Sequence, residues 1–241
     1  MKRLLLFCAC ALSLVAVAPA TASADPPVAT YEVTITNLTS GQPFTQPVVA
    51  VHRASTGIFD VGAVASPEIV AVAENGNIGL LQTALANDKH VADQVSATAP
   101  VVPGGLPSSG MFGDQVTLTI TGEGGAGYLS WASMFICTND GFTGIDSLRL
   151  PKAVGDSVEV TTQGYDAGSE INTEDFADIV PPCQGLVGVT TDDPGTGVSN
   201  PALAENGVIA HHPGIVGGVD LLTGVHGWDD PVAHVEIVRV G

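Results

Sequence analysis

The sequence predicts a mainly β protein built as a two-sheet antiparallel sandwich, and three observations point there. Several short segments alternate apolar and polar residues with the period of two that a half-buried strand requires. The 241-residue chain carries 29 Gly and 16 Pro, enough for many turns. Only 13% of its residues are charged while Val and Thr are abundant, a composition suited to strands rather than to a helical bundle.

The elements follow in chain order. Residues 31–38 place Tyr31, Val33 and Ile35 on one face and Glu32, Thr34 and Thr36 on the other, the pattern of a half-buried strand. Residues 47–52 form a second, shorter strand. Ser66-Pro67-Glu68 is a helix start, with Ser as cap and Pro in the first turn, and Asn75-Gly76 is its stop. A second short helix is expected over 77–86, a strand over 91–98 and a Pro/Gly/Ser loop over 100–113. Residues 115–121 and 158–163 alternate again, whereas 128–137 is a more continuously apolar strand. A helical turn is expected within 171–179, a patternless Gly/Asp/Thr loop over 186–200, and a closing strand over 232–240. Seven or eight strands broken by long loops suit two packed sheets.

The chain begins with the marks of a secretory signal. Lys2 and Arg3 are positive, residues 4–17 are apolar, and Ala22-Ser23-Ala24 is a small-residue cleavage site, so residues 1–24 read as a signal peptide and 25–241 as one domain. The apolar stretch is short for a membrane anchor, and no later stretch approaches the ~18 residues of a spanning helix. The expected localisation is secreted, extracellular or periplasmic. All 25 acidic residues lie beyond the signal, against five basic ones, Arg53, Lys89, Arg149, Lys152 and Arg239. Such a surface repels nucleic acid and anionic lipid, although solubility alone also accounts for it. Of four cysteines only Cys137 and Cys183 follow the signal. In an oxidising compartment they are expected to form one disulfide, bracing the residues around Asp140.

Three acids carry the sharpest functional signal. Asp140 follows an apolar run in Thr138-Asn139-Asp140-Gly141. Asp166 and Glu170 lie in Tyr165-Asp166-Ala167-Gly168-Ser169-Glu170, after the alternating run 158–163. Calcium wants several carboxylate and carbonyl oxygens on flexible backbone, with Gly permitting sharp turns. Acidic turns are also common structural devices, so from the residues alone Asp140 is equally a turn residue and Asp166 the head of an Asx-turn. Asp146 is a further oxygen donor or the organiser of its own turn.

These segments resemble the spondin domain, the N-terminal adhesive domain of F-spondin, found also in secreted bacterial proteins. The resemblance rests on Asp140-Gly141-Phe142 followed by Gly144 and Asp146-Ser147-Leu148, and on residues 165–170. Tyr31 to Thr39, Gly41-Gln42-Pro43-Phe44, His212-Pro213-Gly214, Trp228 and 231–237 extend it over most of the chain. It implies a C2-like antiparallel β-sandwich, calcium bound through Asp140, Asp166 and Glu170, and a non-catalytic adhesion or recognition role toward an unidentified extracellular protein, glycan or matrix ligand. Glu170 stands where animal members tend to carry Asp.

Other motifs argue against catalysis. His211-His212-Pro213-Gly214 with His226 lacks the His-Glu-x-x-His spacing of a zinc enzyme, and adjacent strand residues point to opposite faces. Gly-x-Ser-x-Gly is absent, and Ser108-Ser109-Gly110 has no strand feeding it. Asn37-Leu38-Thr39 matches a glycosylation acceptor but falls on an expected strand. The competing reading is a secreted hydrolase or carbohydrate-binding sandwich. Two Trp and three Tyr offer little for a sugar platform; Trp131 and Trp228 side by side on the surface would favour it, and Trp side chains turned inward would favour the module.

Overall fold

A computed structural model of the chain describes residues 28–123 and 125–241. The signal read over 1–24, with Cys8 and Cys10, lies outside them. The fold is an antiparallel β-sandwich with a layer of short helices and loops against one sheet. The strands are β1 (Ala29–Asn37), β2 (Val48–His52), β3 (Val91–Ser96), β4 (Gln115–Gly122), β5 (Tyr128–Met134), β6 (Gly141–Arg149), β7 (Ser157–Thr162), β8 (Gly164–Asp166), β9 (Ala210–His211) and β10 (Ala233–Arg239). The α-helices are α1 (Pro67–Asn75), α2 (Gly79–Asn87), α3 (Pro182–Val187) and α4 (Thr223–His226). One sheet has the order β4-β1-β10-β7, the other β3-β2-β5-β6-β8-β9.

Two cores result. Between the sheets lie Val33, Ile35, Val49, Val51, Leu129, Trp131, Val235 and Ile237. On the far face of the six-stranded sheet, Val48, Ala50, Ala132 and Met134 pack against Ile69, Val72, Leu81 and Leu186 of the helices and against Ile179 and Ile209 of the loops. Along β2 and β5 the period of two therefore divides residues between two buried faces instead of between core and water. That is why 128–137 reads as continuously apolar. α1 starts as expected: the Ser66 hydroxyl accepts the N–H of Ile69, and Gly76 closes the helix with φ 62°.

The structure redraws several boundaries. The apolar run 128–137 stops pairing as a strand at Met134; Cys137 and Asp140 sit in the tight turn before β6. The residues after Asp140 form β6, with Asp146 inside it. Gly144 is needed there because a Cβ would stand 2.2 Å from the Trp131 carbonyl oxygen. The run 158–163 feeds Asp166 only indirectly: β7 ends at Thr162 in the four-stranded sheet, and the chain crosses to the six-stranded sheet as β8 before reaching Asp166. The helical turn in 171–179 is a 3₁₀ turn at Phe176–Asp178. No pattern in the sequence marks the helices α3 and α4 or the short strands β8 and β9.

Candidate metal centre

β5 and β8 both run antiparallel to β6, so they leave the sheet at the same end. Gly141 pairs directly with Asp166, which brings Asp140 beside the loop over 166–170. The contact is tight. Asp140 Oδ2 accepts the backbone N–H of Ser169 (2.8 Å), the N–H of Glu170 (3.0 Å) and the Ser169 hydroxyl (3.1 Å), while the Asp140 carbonyl accepts the N–H of Ala167 (3.1 Å). Asp166 organises its own turn: Oδ1 accepts the N–H of Gly168 (2.7 Å) and Oδ2 the side-chain amide of Asn172 (2.6 Å). Gly168, at φ 67°, permits the bend. Cys137 and Cys183 form a disulfide that ties the Asp140 turn to α3. Gln42 adds a second tie, its side-chain oxygen accepting the N–H of Cys137 (3.1 Å).

The decisive atom is Asp140 Oδ1. Asp140 is fully buried, and this oxygen meets no hydrogen-bond donor among the described residues. Burial first, and then the neighbouring Asp166 charge, push the Asp140 carboxyl up to about 6. Glu170 is also buried. Its Oε1 accepts the N–H of Asn200 (2.6 Å), yet burial and the charges of Glu74, Asp140 and Asp178 raise its carboxyl to about 7. The carboxylates of Asp140, Asp166 and Glu170 are thus neighbours, but no set of one oxygen from each lies mutually within 4.8 Å. Among the described residues, the groups that do meet that separation are Asp175, Asp193 and Asp220, and the sulfurs of Cys137 and Cys183 with a ring nitrogen of His226. Asp175 and Asp220 already accept the N–H groups of Ala177 and Phe176, and the two sulfurs are bonded to each other.

Glu174, which no motif singled out, anchors the neighbouring loop. Its carboxylate accepts the N–H groups of Val216, Gly217 and Gly218 at 2.6, 2.8 and 2.8 Å, and its carbonyl accepts those of Asp220 and Leu221. Its φ of 56° is a backbone signature that sequence does not reveal in a Glu.

The remaining motifs resolve into structure. His211 is exposed and bonded to Asp230, while His212 is buried against Trp228 with ring centroids 4.9 Å apart, so the two do point opposite ways. Burial pushes His212 down to about 4. Asp146 orders its surroundings, accepting the N–H of Ile58 and the hydroxyls of Ser130 and Ser147. Asn37 is buried and its amide donates to the carbonyls of Gln42 and Val101, which removes it as a free acceptor. Trp131 lies wholly in the core, and Trp228 packs on Phe135 with centroids 4.8 Å apart. Neither joins a surface platform. No helix among the described residues is long and apolar enough to cross a membrane. A scan of protein-family models and a search of curated proteins find no match to this chain.

Proposed function

We propose that this is a secreted, non-catalytic recognition module of the spondin type, with Ca²⁺ held at one end of the sandwich between Asp140 and Asp166 and Glu170 as the third acid of the centre. The observation that carries the reading is the bare, buried Asp140 Oδ1 beside a second buried carboxylate. A buried anionic oxygen without a donor costs free energy that a hard cation relieves. Two or three carboxylates from the chain with backbone carbonyls and water make a donor set of the kind calcium takes. The ion supplies the strong positive charge that an acidic surface otherwise lacks, and through it an extracellular ligand of acidic or polyhydroxylated character is recognised. Trp131, wholly buried, and Trp228, half-buried against Phe135 and His212 rather than beside Trp131, favour this reading over a sugar-binding platform.

Thermal melts test it. Calcium at a hundredfold excess over its Kd stabilises by about 2.7 kcal/mol, roughly 5–10 °C for a chain of this size, and Asp166→Ala removes that shift. Identical wild-type melts in calcium and in chelator sink the metal. Metal-independent turnover of ester, peptide or glycoside substrates by the purified protein overturns the non-catalytic role.

A further inference from the structure

Glu74 occupies a position that its own helix disfavours. It lies in the last turn of α1, where the helix dipole repels an anion and no basic residue is present to offset it. It is 7% exposed although it lies about 140° around the helix from Ile69, and its Oε2 has no hydrogen-bond partner among the described residues. A carboxylate in that setting is a liability unless something positive meets it.

The fold directs Glu74 toward Glu170. The adjacent residue, Asn75, donates from its side chain to the Ser199 hydroxyl (2.9 Å), which docks the end of α1 on the segment 199–200. The next residue along, Asn200, donates its N–H to Glu170 Oε1. Glu170 is thus seated against the same segment as α1, and of its acidic neighbours Glu74 acts on it most strongly, ahead of Asp140 and Asp178. Asp178 closes the group, its Oδ1 accepting the Asn200 side-chain amide at 3.4 Å. Glu170 converges on one point neither with Asp140 and Asp166 nor with Glu74 and Asp178, since in neither set does one oxygen from each lie mutually within 4.8 Å, so an ion must draw its ligands together on binding.

We propose that Glu74 and Glu170, with Asp178 beside them, hold a second divalent cation, so that the acidic end of the sandwich is a two-calcium centre in which Glu170 stands between the ions. The proposal rests on the calcium reading of Asp140 and Asp166 and extends it to a helix residue outside both acidic loops. The donor set is all oxygen, which selects calcium or magnesium over softer metals.

Equilibrium dialysis or calorimetric titration of the purified protein with calcium alone, at pH 8, counts the ions. Wild type is expected to take two per chain, Glu74→Gln one and Asp140→Asn one. A change of at least tenfold in Kd at one step serves in place of outright loss. In chelator Glu74→Gln is expected to melt at or above wild type, since the amide removes an unpartnered charge without changing volume. Asp178→Asn, which leaves Glu170 and the first site untouched, is expected to weaken the same step as Glu74→Gln. Wild type binding a single ion with stoichiometry and affinity unchanged in Glu74→Gln overturns the second site and leaves the first intact. A chelated Glu74→Gln that melts well below wild type overturns it too, by making Glu74 structural. A wild type that binds no calcium removes both sites.

Discussion

Two loops at the same end of this molecule are each organised by a buried carboxylate, and the carboxylates differ in one atom. In the loop over 213–222, both Glu174 oxygens are engaged, with three backbone N–H groups between them. In the loop over 166–170, Asp140 directs three donors onto Oδ2 and leaves Oδ1 bare. A carboxylate used to its full capacity explains itself as a clamp. One used by half needs something else, because a buried acceptor left unmade costs about 1–3 kcal/mol and more when charged. The braces differ as well: the Asp140 turn is tied covalently through Cys137 to Cys183, the Glu174 loop by hydrogen bonds alone.

Removing each brace in turn, with stability and the calcium response both measured, separates the two loops. Opening the disulfide in Cys137→Ser/Cys183→Ser frees a loop with a sequence separation of 46. In the chain-entropy account that costs about 4 kcal/mol. Because Cys137 lies three residues before Asp140, the calcium-induced rise in melting temperature is expected to shrink with it. Glu174→Gln sets an amide N–H₂ against backbone donors and is expected to cost at least about 3 kcal/mol. The calcium shift should survive in that variant. A calcium response lost equally in both variants would make the two loops one cooperative unit and erase the distinction.

The half-used carboxylate itself is probed by Asp140→Asn. The amide oxygen can still accept at Oδ2 while the charge on Oδ1 disappears. In chelator this variant is expected to melt no lower than wild type, since the repulsion from Asp166 is gone. In excess calcium it should lack the roughly 2.7 kcal/mol that the first ion supplies at a hundredfold excess over its Kd. A variant that keeps the full calcium response shows that Asp140 is a clamp of the Glu174 kind.

How far the sequence reveals these features depends on which face of each element meets water. β1 and β10 are regular and pair residue for residue from Tyr31 with Arg239 to Asn37 with Ala233. Their polar faces are less buried than their core faces, so alternation marks them in the sequence. β2 and β5 are buried on both faces, and β6 carries Gly141 and Gly144 because neighbouring atoms leave no room for a Cβ. Apolar runs and glycines in strands do not advertise a period. The acidic loops are visible as Gly-flanked acids, but their convergence depends on the antiparallel pairing of β6 with β8, a long-range fact. Glu74 left a weaker trace, an acid in the final turn of a helix with no basic residue there, and Glu174 left none, its positive φ being a property of the backbone alone. The former breaks a rule of helix electrostatics and is readable in principle.

The smallest effect, and the one that tests the electrostatics most directly, is the pH dependence of the calcium shift. In the folded, metal-free protein Asp140 is raised from 3.8 to about 6 and Glu170 from 4.5 to about 7. As pH rises from about 4 to 7 the unfolded chain releases these protons first and the folded chain retains them, so their contribution to stability falls across that window. His212 acts oppositely. Burial lowers it from 6.5 to about 4, the unfolded chain binds the extra proton between those values, and stability from this group rises with pH. In chelator the opposing slopes partly offset each other between about pH 4.5 and 6.5. Calcium pairs with the ionised carboxylates and removes the falling component, leaving the rise from His212. The difference between melts with and without calcium should therefore be near zero at pH 4.5, grow steadily, and level off above about pH 7. In Asp140→Asn the growth should be confined to the Glu170 portion of the window. A wild-type shift that is the same at pH 5 and pH 8 would mean that the ion binds groups whose protonation does not change in this range, and so not these carboxylates.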